Sequence, residues 1–263
     1  MPQISSQIDH GYPDQTVLLN HPYLSSLTAK VSLPETTQPL FNQIVKEIYA
    51  QILVAIMNDH WPLVERDLKT RMCEFHPEQR LKAHIFDPNQ KAVCVDIARA
   101  GMLPSQVFFD HLNTVVDPSG IRQDHVYASR VTNEKNEVTH TELSSSKIGG
   151  DVDNSIVLIP DPMGATGLSL CEVIDYYKEK VPGKATKFIA AHLIVTPEYI
   201  KQVSERHPDV WIYAARLDRG LSSQEALAQV PGQLWDQESG LNDNQYIVPG
   251  AGGVGELINN SFV

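Results

Sequence analysis

Between residues 38 and 58, apolar side chains recur at helical spacing: Phe41, Ile44, Val45, Ile48, Ile52 and Ile56. That period collects them on one stripe and predicts an amphipathic helix whose apolar face meets the core or, in part, a dimer contact. Ahead of it, Thr36-Thr37-Gln38-Pro39 resembles a helix start, with Thr37 as the cap and Pro39 in the first turn. Residues 62–90 are mixed and charge-rich, and read as a helix followed by a hairpin. After them, short apolar runs alternate with helical patterns. AVCVDIA (92–98) reads as a strand, LPSQVFFDHLN (103–113) as a helix and DHVYASRV (124–131) as a strand. EVTHTEL (137–143) reads as a further strand, facing the previous one across the polar turn Thr132–Asn136. Next come an apolar strand (156–159), a helix (168–180), a strand (187–196), a helix (197–207) and a strand (210–217). The alternation predicts an α/β fold with a mainly parallel central sheet flanked by helices. Ligands in such sheets bind beyond the carboxyl ends of the strands.

The 263 residues suit one large domain. Residues 1–20 read as a polar N-terminal arm, residues 21–263 as the domain, and 221–239, with Pro231-Gly232, as a surface excursion with one short helical turn. The chain is 42% apolar but has no unbroken apolar run long enough to suggest a membrane span. Its start, MPQISSQIDHGYPDQ, lacks the basic and apolar regions of a secretory signal. Cys73, Cys94 and Cys171 are too scattered for a disulfide framework or a zinc site, which points to a cytoplasmic protein. A net charge of −11 argues against nucleic acid or an anionic membrane as partner. It leaves room for one small anionic ligand, because a pocket's local field can oppose the global sign.

The candidate chemistry concentrates in SIVLIPDPMGATGLSL (155–170). A buried strand ends at Asp161, and Ala165-Thr166-Gly167-Leu168-Ser169 supplies small residues and hydroxyls where a helix begins. Unpaired N–H groups and the helix dipole suit that start to a phosphate, and Asp161 suits the hydroxyls of an attached sugar. The segment lacks the GxxxxGK[ST] spacing of a nucleotide-hydrolase loop. Near the C-terminus, Gly250, Gly252 and Gly255 spell GxGxxG, but a dinucleotide fold needs a helix and a second strand after it, and the chain stops at Val263. What stays is a glycine loop whose backbone can approach a ligand closely, or a structural turn. Arg99, in DIARAG (96–101), and Arg130, at a strand end, have the planar donor fork that an anion needs, though each is equally readable as an ion pair or a solvated side chain. Arg216, Asp218 and Arg219 form a charged strand end that also reads as a surface salt-bridge cluster.

Taken in order, these motifs resemble those of the uracil phosphoribosyltransferases. DPMGATGLS (161–169) is similar to the family's ribose-5-phosphate loop DPMLATGGS, RAG (99–101) resembles its pyrophosphate-side segment, and GLNDNQYIVPGAG (240–252) resembles its uracil-recognition segment with the YIVPG core. The resemblance implies a type I phosphoribosyltransferase fold with a small hood and a β-hairpin arm. It implies transfer of the phosphoribosyl group of 5-phosphoribosyl-1-pyrophosphate (PRPP) to uracil, giving UMP and pyrophosphate in pyrimidine salvage. Mg²⁺ is the implied cofactor, held through the substrate without direct protein ligands, in a homodimer or higher oligomer. The implied roles are Arg99, Arg130 and Asp161 in catalysis, residues Met163, Gly164, Ala165, Thr166, Gly167, Leu168 and Ser169 around the phosphate, and Tyr246, Ile247, Gly252 and Gly253 around uracil. Four departures from the family stand out. Leu168 replaces a glycine. Gly253 stands where an aspartate near sugar and metal is expected, and Glu256-Leu257 replace Asp-Arg, which leaves Glu256 and Asp243 as substitute acids. The departures keep two other readings open: a non-catalytic UMP-binding paralogue, and a phosphoribosyltransferase for another base.

Overall fold

The computed structural model describes residues 6–132 and 138–262, with the backbone alone between 129 and 142. In chain order the elements are β1 (Thr16–Leu18), α1 (Pro22–Val31), α2 (Leu40–His60), β2 (Leu63–Leu68), β3 (Leu81–Phe86), β4 (Lys91–Ala98) and α3 (Met102–Val115). There follow β5 (Ile121–Thr132), β6 (Val138–Lys147), β7 (Ser155–Pro160), β8 (Met163–Gly164), α4 (Leu168–Lys180), β9 (Lys187–His192) and β10 (Ile194–Val195). The last are α5 (Pro197–Arg206), β11 (Val210–Ala214), α6 (Gln224–Leu227) and α7 (Val254–Asn259).

Among the described residues, seven strands form one sheet in the order β1-β11-β9-β7-β4-β5-β6. All neighbours run parallel except β6, which returns antiparallel along β5 as the hairpin pattern predicts. The turn expected at Thr132–Asn136 lies outside the described residues beyond Thr132. The chain leaves β4 through α3 toward β5 on one side, and β7 then enters on the other. Between the carboxyl ends of β4 and β7 the strand order reverses, which is where a doubly wound sheet opens a crevice.

The burial of β7 and β9 on both faces explains their unbroken apolar runs. On one face α2 and α3 pack with Ala92, Cys94 and Leu158 of the sheet; on the other α4 and α5 pack with Val93, Val95 and Val157. Helix α2 buries Phe41, Ile44, Val45, Ile48, Tyr49, Ile52, Leu53, Ile56 and Met57. At about 1.5–3 kcal/mol per fully buried large side chain, it is a principal contributor to the core. By length and composition α2 is apolar enough to cross a membrane, but its apolar face is consumed by the sheet and α3.

Several expectations need correcting. Residues 62–90 hold no helix among the described residues beyond a short 3₁₀ turn (Arg71–Glu74); they form the antiparallel hairpin β2–β3. Pro62 explains this, since it holds Trp61 extended (ψ 133°) and forbids the helix to resume. Thr37 does not cap α2 with its side chain; its carbonyl accepts the Phe41 N–H at 2.9 Å, and Pro39 is the capping position. Thr16–Leu18, read as part of a polar arm, join the sheet as a buried edge strand beside β11. The strand expected over 187–196 breaks at Leu193, and its second piece, β10, pairs with β8 instead.

Candidate active site at the carboxyl edge of the sheet

Asp161 follows β7 at half burial, with its N–H donating to the Ala191 carbonyl at 3.0 Å. Its own carbonyl lies 2.6 Å from Nδ1 of His192, whose Nε2 is 2.5 Å from the Tyr199 hydroxyl. Burial lowers the His192 pKa to about 4, so the ring is neutral near pH 7. A carbonyl only accepts, so Nδ1–H donates to Asp161 and Nε2 accepts from Tyr199, whose pKa burial holds well above its ordinary value. The strand end that carries the carboxylate is thus fixed from behind by a buried relay.

Beyond Asp161 the chain forms β8 and turns into α4. Thr196, the N-cap of α5, holds this turn: its N–H donates to the Gly164 carbonyl at 3.0 Å and its hydroxyl to the Ala165 carbonyl at 2.7 Å. The same hydroxyl oxygen accepts the Tyr199 N–H at 3.0 Å, completing the cap. Gly167 (φ 80°) caps α4 and packs against Gln202 and Val203, where even a Cβ would stand 3.2 Å from both side chains. No side chain caps α4, so its first-turn N–H groups have no carbonyl one turn earlier within the helix. Thr166, half-buried, sets its hydroxyl 3.5 Å from the Leu168 N–H. Leu168 takes the first helical position with ordinary geometry, so the departure from glycine there costs no backbone strain.

The turn after β4 abuts this loop. A Cβ at Gly101 would lie 2.8 Å from Ile97 N and 3.1 Å from the Pro160 carbonyl oxygen, so only glycine lets the two strand ends come together. Arg99 is exposed, and its Nη1 donates to the Ser261 hydroxyl at 2.8 Å. Arg130 lies in β5 opposite Thr141; its side chain is outside the described set.

The glycine loop is built on a short antiparallel bridge between Leu241 and Ile247. Tyr246 has both backbone groups engaged with Asn242: its N–H donates to Oδ1 at 2.9 Å and its carbonyl accepts Asn242 N–H at 3.0 Å. The bonds flanking the bridge are made by residues 240, 242, 246 and 248, so the N–H and C=O of Ile247 point away from Leu241. Gly252 (φ 72°) gives its carbonyl to Val254 N–H, and the space where its Cβ would stand is open.

Arg216 and Asp218 clamp this loop. They pair bidentately at 2.7 Å, Asp218 Oδ2 accepts Gly250 N–H at 2.8 Å, and Arg216 Nη2 donates to Gly250 O at 2.9 Å. Arg216 also reaches Thr28 O on α1 and Ser32 Oγ just after it. Arg219 instead binds the 221–239 segment, donating to Ala226 O, Gln229 O and buried Glu238, which also accepts from the Tyr12 hydroxyl. Two contacts join the loops. The Thr196 side chain that holds Ala165 packs 3.0 Å from where a Cβ of Gly240 would be. One Glu198 carboxylate accepts from Ser239 Oγ, Gly240 N–H and Leu241 N–H.

The match to known proteins covers the sheet and its flanking helices. The family model described as uracil phosphoribosyltransferase matches residues 17–236. The chain belongs to the uracil phosphoribosyltransferase family. A uracil phosphoribosyltransferase of Mycoplasma capricolum subsp. capricolum is 30% identical over 91% of this chain and 96% of its own. Another, from Thermosipho africanus, is 29% identical over 92% and 96%. The solved structure of the AQ2163 protein from Aquifex aeolicus superposes with a TM-score of 0.68 at 21% identity, covering 92% of this chain and 97% of that one, a likeness of fold.

Within this phosphoribosyltransferase family member, the Arg99 turn, residues 161–169 and the 246–253 loop meet at one edge of the sheet. His192, Thr196, Glu198, Arg216 and Asp218, which position these segments, were not singled out by sequence for that task. Arg216 and Asp218 carried a signal, a strand end with opposite charges two residues apart. His192, Thr196 and Glu198 carried none apart from the Thr-Pro-Glu opening of α5.

Proposed function

We propose that this protein is a uracil phosphoribosyltransferase that converts uracil and PRPP to UMP and pyrophosphate. The observation that supports the reading is Thr196, which bonds the Ala165 carbonyl of the 161–169 loop and packs against Gly240 at the foot of the glycine loop. In the reaction the C1′–O bond breaks with its electron pair leaving on pyrophosphate. The N1 lone pair of uracil forms the N1–C1′ bond, and the N1 proton is released. Positive charge spreads over the sugar while negative charge builds on the leaving group. The protein's part is preorganised electrostatics without a nucleophile. Arg99 and Arg130 serve the pyrophosphate, the 163–169 backbone with the Thr166 and Ser169 hydroxyls holds the 5′-phosphate, and Asp161 takes ribose hydroxyls. The N–H and C=O of Ile247, which point away from Leu241, would pair with the imide edge of uracil together with the Gly252 N–H. Tyr246 contributes its exposed ring, because its backbone is spent on Asn242.

Among the described residues no group of three or more His, Cys, Asp or Glu is arranged to hold a metal. Mg²⁺ would be carried mainly on substrate oxygens, with Asp161 and Glu256 as the carboxylates that could assist. When bound, the ion neutralises charge on the departing pyrophosphate.

We further propose a cytoplasmic homodimer, supported by exposed Leu63, Phe75 and Leu81 on the β2–β3 hairpin (60%, 70% and 50% exposed). Light scattering of the purified protein giving a monomer mass would reject it.

Purified protein with Mg²⁺, PRPP and labelled uracil should yield labelled UMP. No product over a wide range of metal and pH would reject the reading. Gly253, which lacks the family's aspartate, favours a second reading, a non-catalytic UMP-binding paralogue. Calorimetric UMP binding without turnover would support that one, and competition among nucleobases in the same assay tests the choice of base.

A further inference from the structure

Gly253 carries no side chain, yet the space beside it is occupied. A Cβ there would lie 2.5 Å from Oε2 of Glu256 and 3.1 Å from its Cδ. An aspartate's own carboxylate oxygen stands about as far from its own Cβ. Glu256 lies in the first turn of α7, half-buried, with its side chain bent back toward the helix start. A glutamate so placed often closes a capping box, but among the described residues no hydrogen bond or ion pair engages this carboxylate. Its neighbours fix where it faces. A Cβ on Gly255 would stand 3.3 Å from Ala100 Cβ, and Asn259 Nδ2 lies 3.5 Å from the Arg99 carbonyl. The carboxylate therefore lies against Gly253 of the glycine loop, on a helix whose Gly255 and Asn259 contact the Arg99 turn.

We infer that Glu256 is the ligand-facing carboxylate of the base loop, reaching over Gly253 to hold ribose hydroxyls and to stabilise the positive charge that develops on the sugar as the C1′–O bond breaks. It stays ionised and forms no covalent bond. The inference rests on the phosphoribosyl-transfer reading above. It also changes a simple expectation: an aspartate introduced at 253 does not fill a vacancy but brings a second carboxylate against one already there, whose side chain has to swing aside. The backbone at Gly253 (φ −76°) accepts any residue, so the neighbour that has to give way is the Glu256 side chain.

The test uses wild type, Glu256→Gln, Gly253→Asp and the double variant Gly253→Asp/Glu256→Ala, each assayed for UMP formation and for calorimetric binding of PRPP with Mg²⁺ and of inorganic phosphate. Glu256→Gln is expected to lower kcat by about 10²-fold, the scale of one lost transition-state charge contact. It should weaken PRPP about tenfold, as for one hydrogen bond to a charged group, and leave phosphate binding unchanged. Gly253→Asp alone is expected to impair the enzyme, and the double variant to recover most of the wild-type kcat. Wild-type kcat and PRPP affinity in Glu256→Gln, or Gly253→Asp more active than the double variant, would overturn the inference. A wild type that makes no UMP overturns the functional reading instead, and PRPP affinity in Glu256→Gln then decides the role of Glu256 by itself.

Discussion

The hydroxyl of Thr196 donates to the carbonyl of Ala165 across 2.7 Å and so ties the start of α5 to the 161–169 loop. The same oxygen caps the helix, which makes one atom answerable for both a helix end and a ligand loop.

Thr196→Val removes the cap and leaves the Ala165 carbonyl without its donor. The variant should lose roughly 1–3 kcal/mol of stability, the range for a lost cap with an unpaired buried group. PRPP should bind more weakly, with its KM rising more than that of uracil. Urea melts and initial rates at varied PRPP check this; an unchanged PRPP KM would detach Thr196 from the loop's function.

Asp218→Asn breaks the fork that holds Gly250 and leaves the Arg216 guanidinium short of its carboxylate. Asp218 is 3% exposed, so the loss belongs with broken buried pairs, on the order of 3–5 kcal/mol. At temperatures where the variant stays folded, the uracil KM should rise while phosphate binding is kept. Calorimetry with inorganic phosphate separates the two effects.

His192 sets a pH dependence. Its folded pKa is near 4, below the ordinary histidine value of about 6.5. Between those values the unfolded chain takes up more protons, so the protein loses stability as pH falls from about 6.5 toward 4 and keeps it fully above that window. The contribution is about 3 kcal/mol. Thermal melts from pH 7 to pH 4 should fall more steeply for wild type than for His192→Gln, even though the variant melts lower at pH 7. Parallel curves would refute the assignment.

Gly240→Ala places a methyl 2.2 Å from the Asp218 carbonyl oxygen and 3.0 Å from Thr196. Backbone has to move, and the expected loss is about 1–3 kcal/mol, with uracil binding weakened because Leu241 carries the bridge to Ile247. A variant as stable and active as wild type would show that the junction between the loops is slack.

Much of this architecture is legible from residue pattern. β7, β9 and β11 are short apolar runs between helical stripes, and α4 occupies the interval its periodicity marks. Two of the failures share a cause, since they turn on partners remote in sequence. Thr16–Leu18 become a strand only because β11 offers an open edge, and the 187–196 run splits because β8 recruits Ile194–Val195. The site divides the same way. Small residues and an acid mark the 161–169 loop locally, whereas the grip of Arg216 on Gly250 spans 34 positions and shows only after folding. The loss of an aspartate at 253 is plain in the sequence; the return of Glu256 over that position needs coordinates.

The bond from Tyr12 to Glu238 carries a practical consequence. Glu238 also binds Arg219, whose neighbour Asp218 grips the glycine loop, and Gly11 N–H donates to Pro231 O at 2.7 Å. The residues ahead of β1 are therefore wired, in three steps, to the place where the base would rest. Trimming the chain past Tyr12, or fusing a bulky tag close to it, would register as altered base affinity, so comparisons between preparations should hold that end constant.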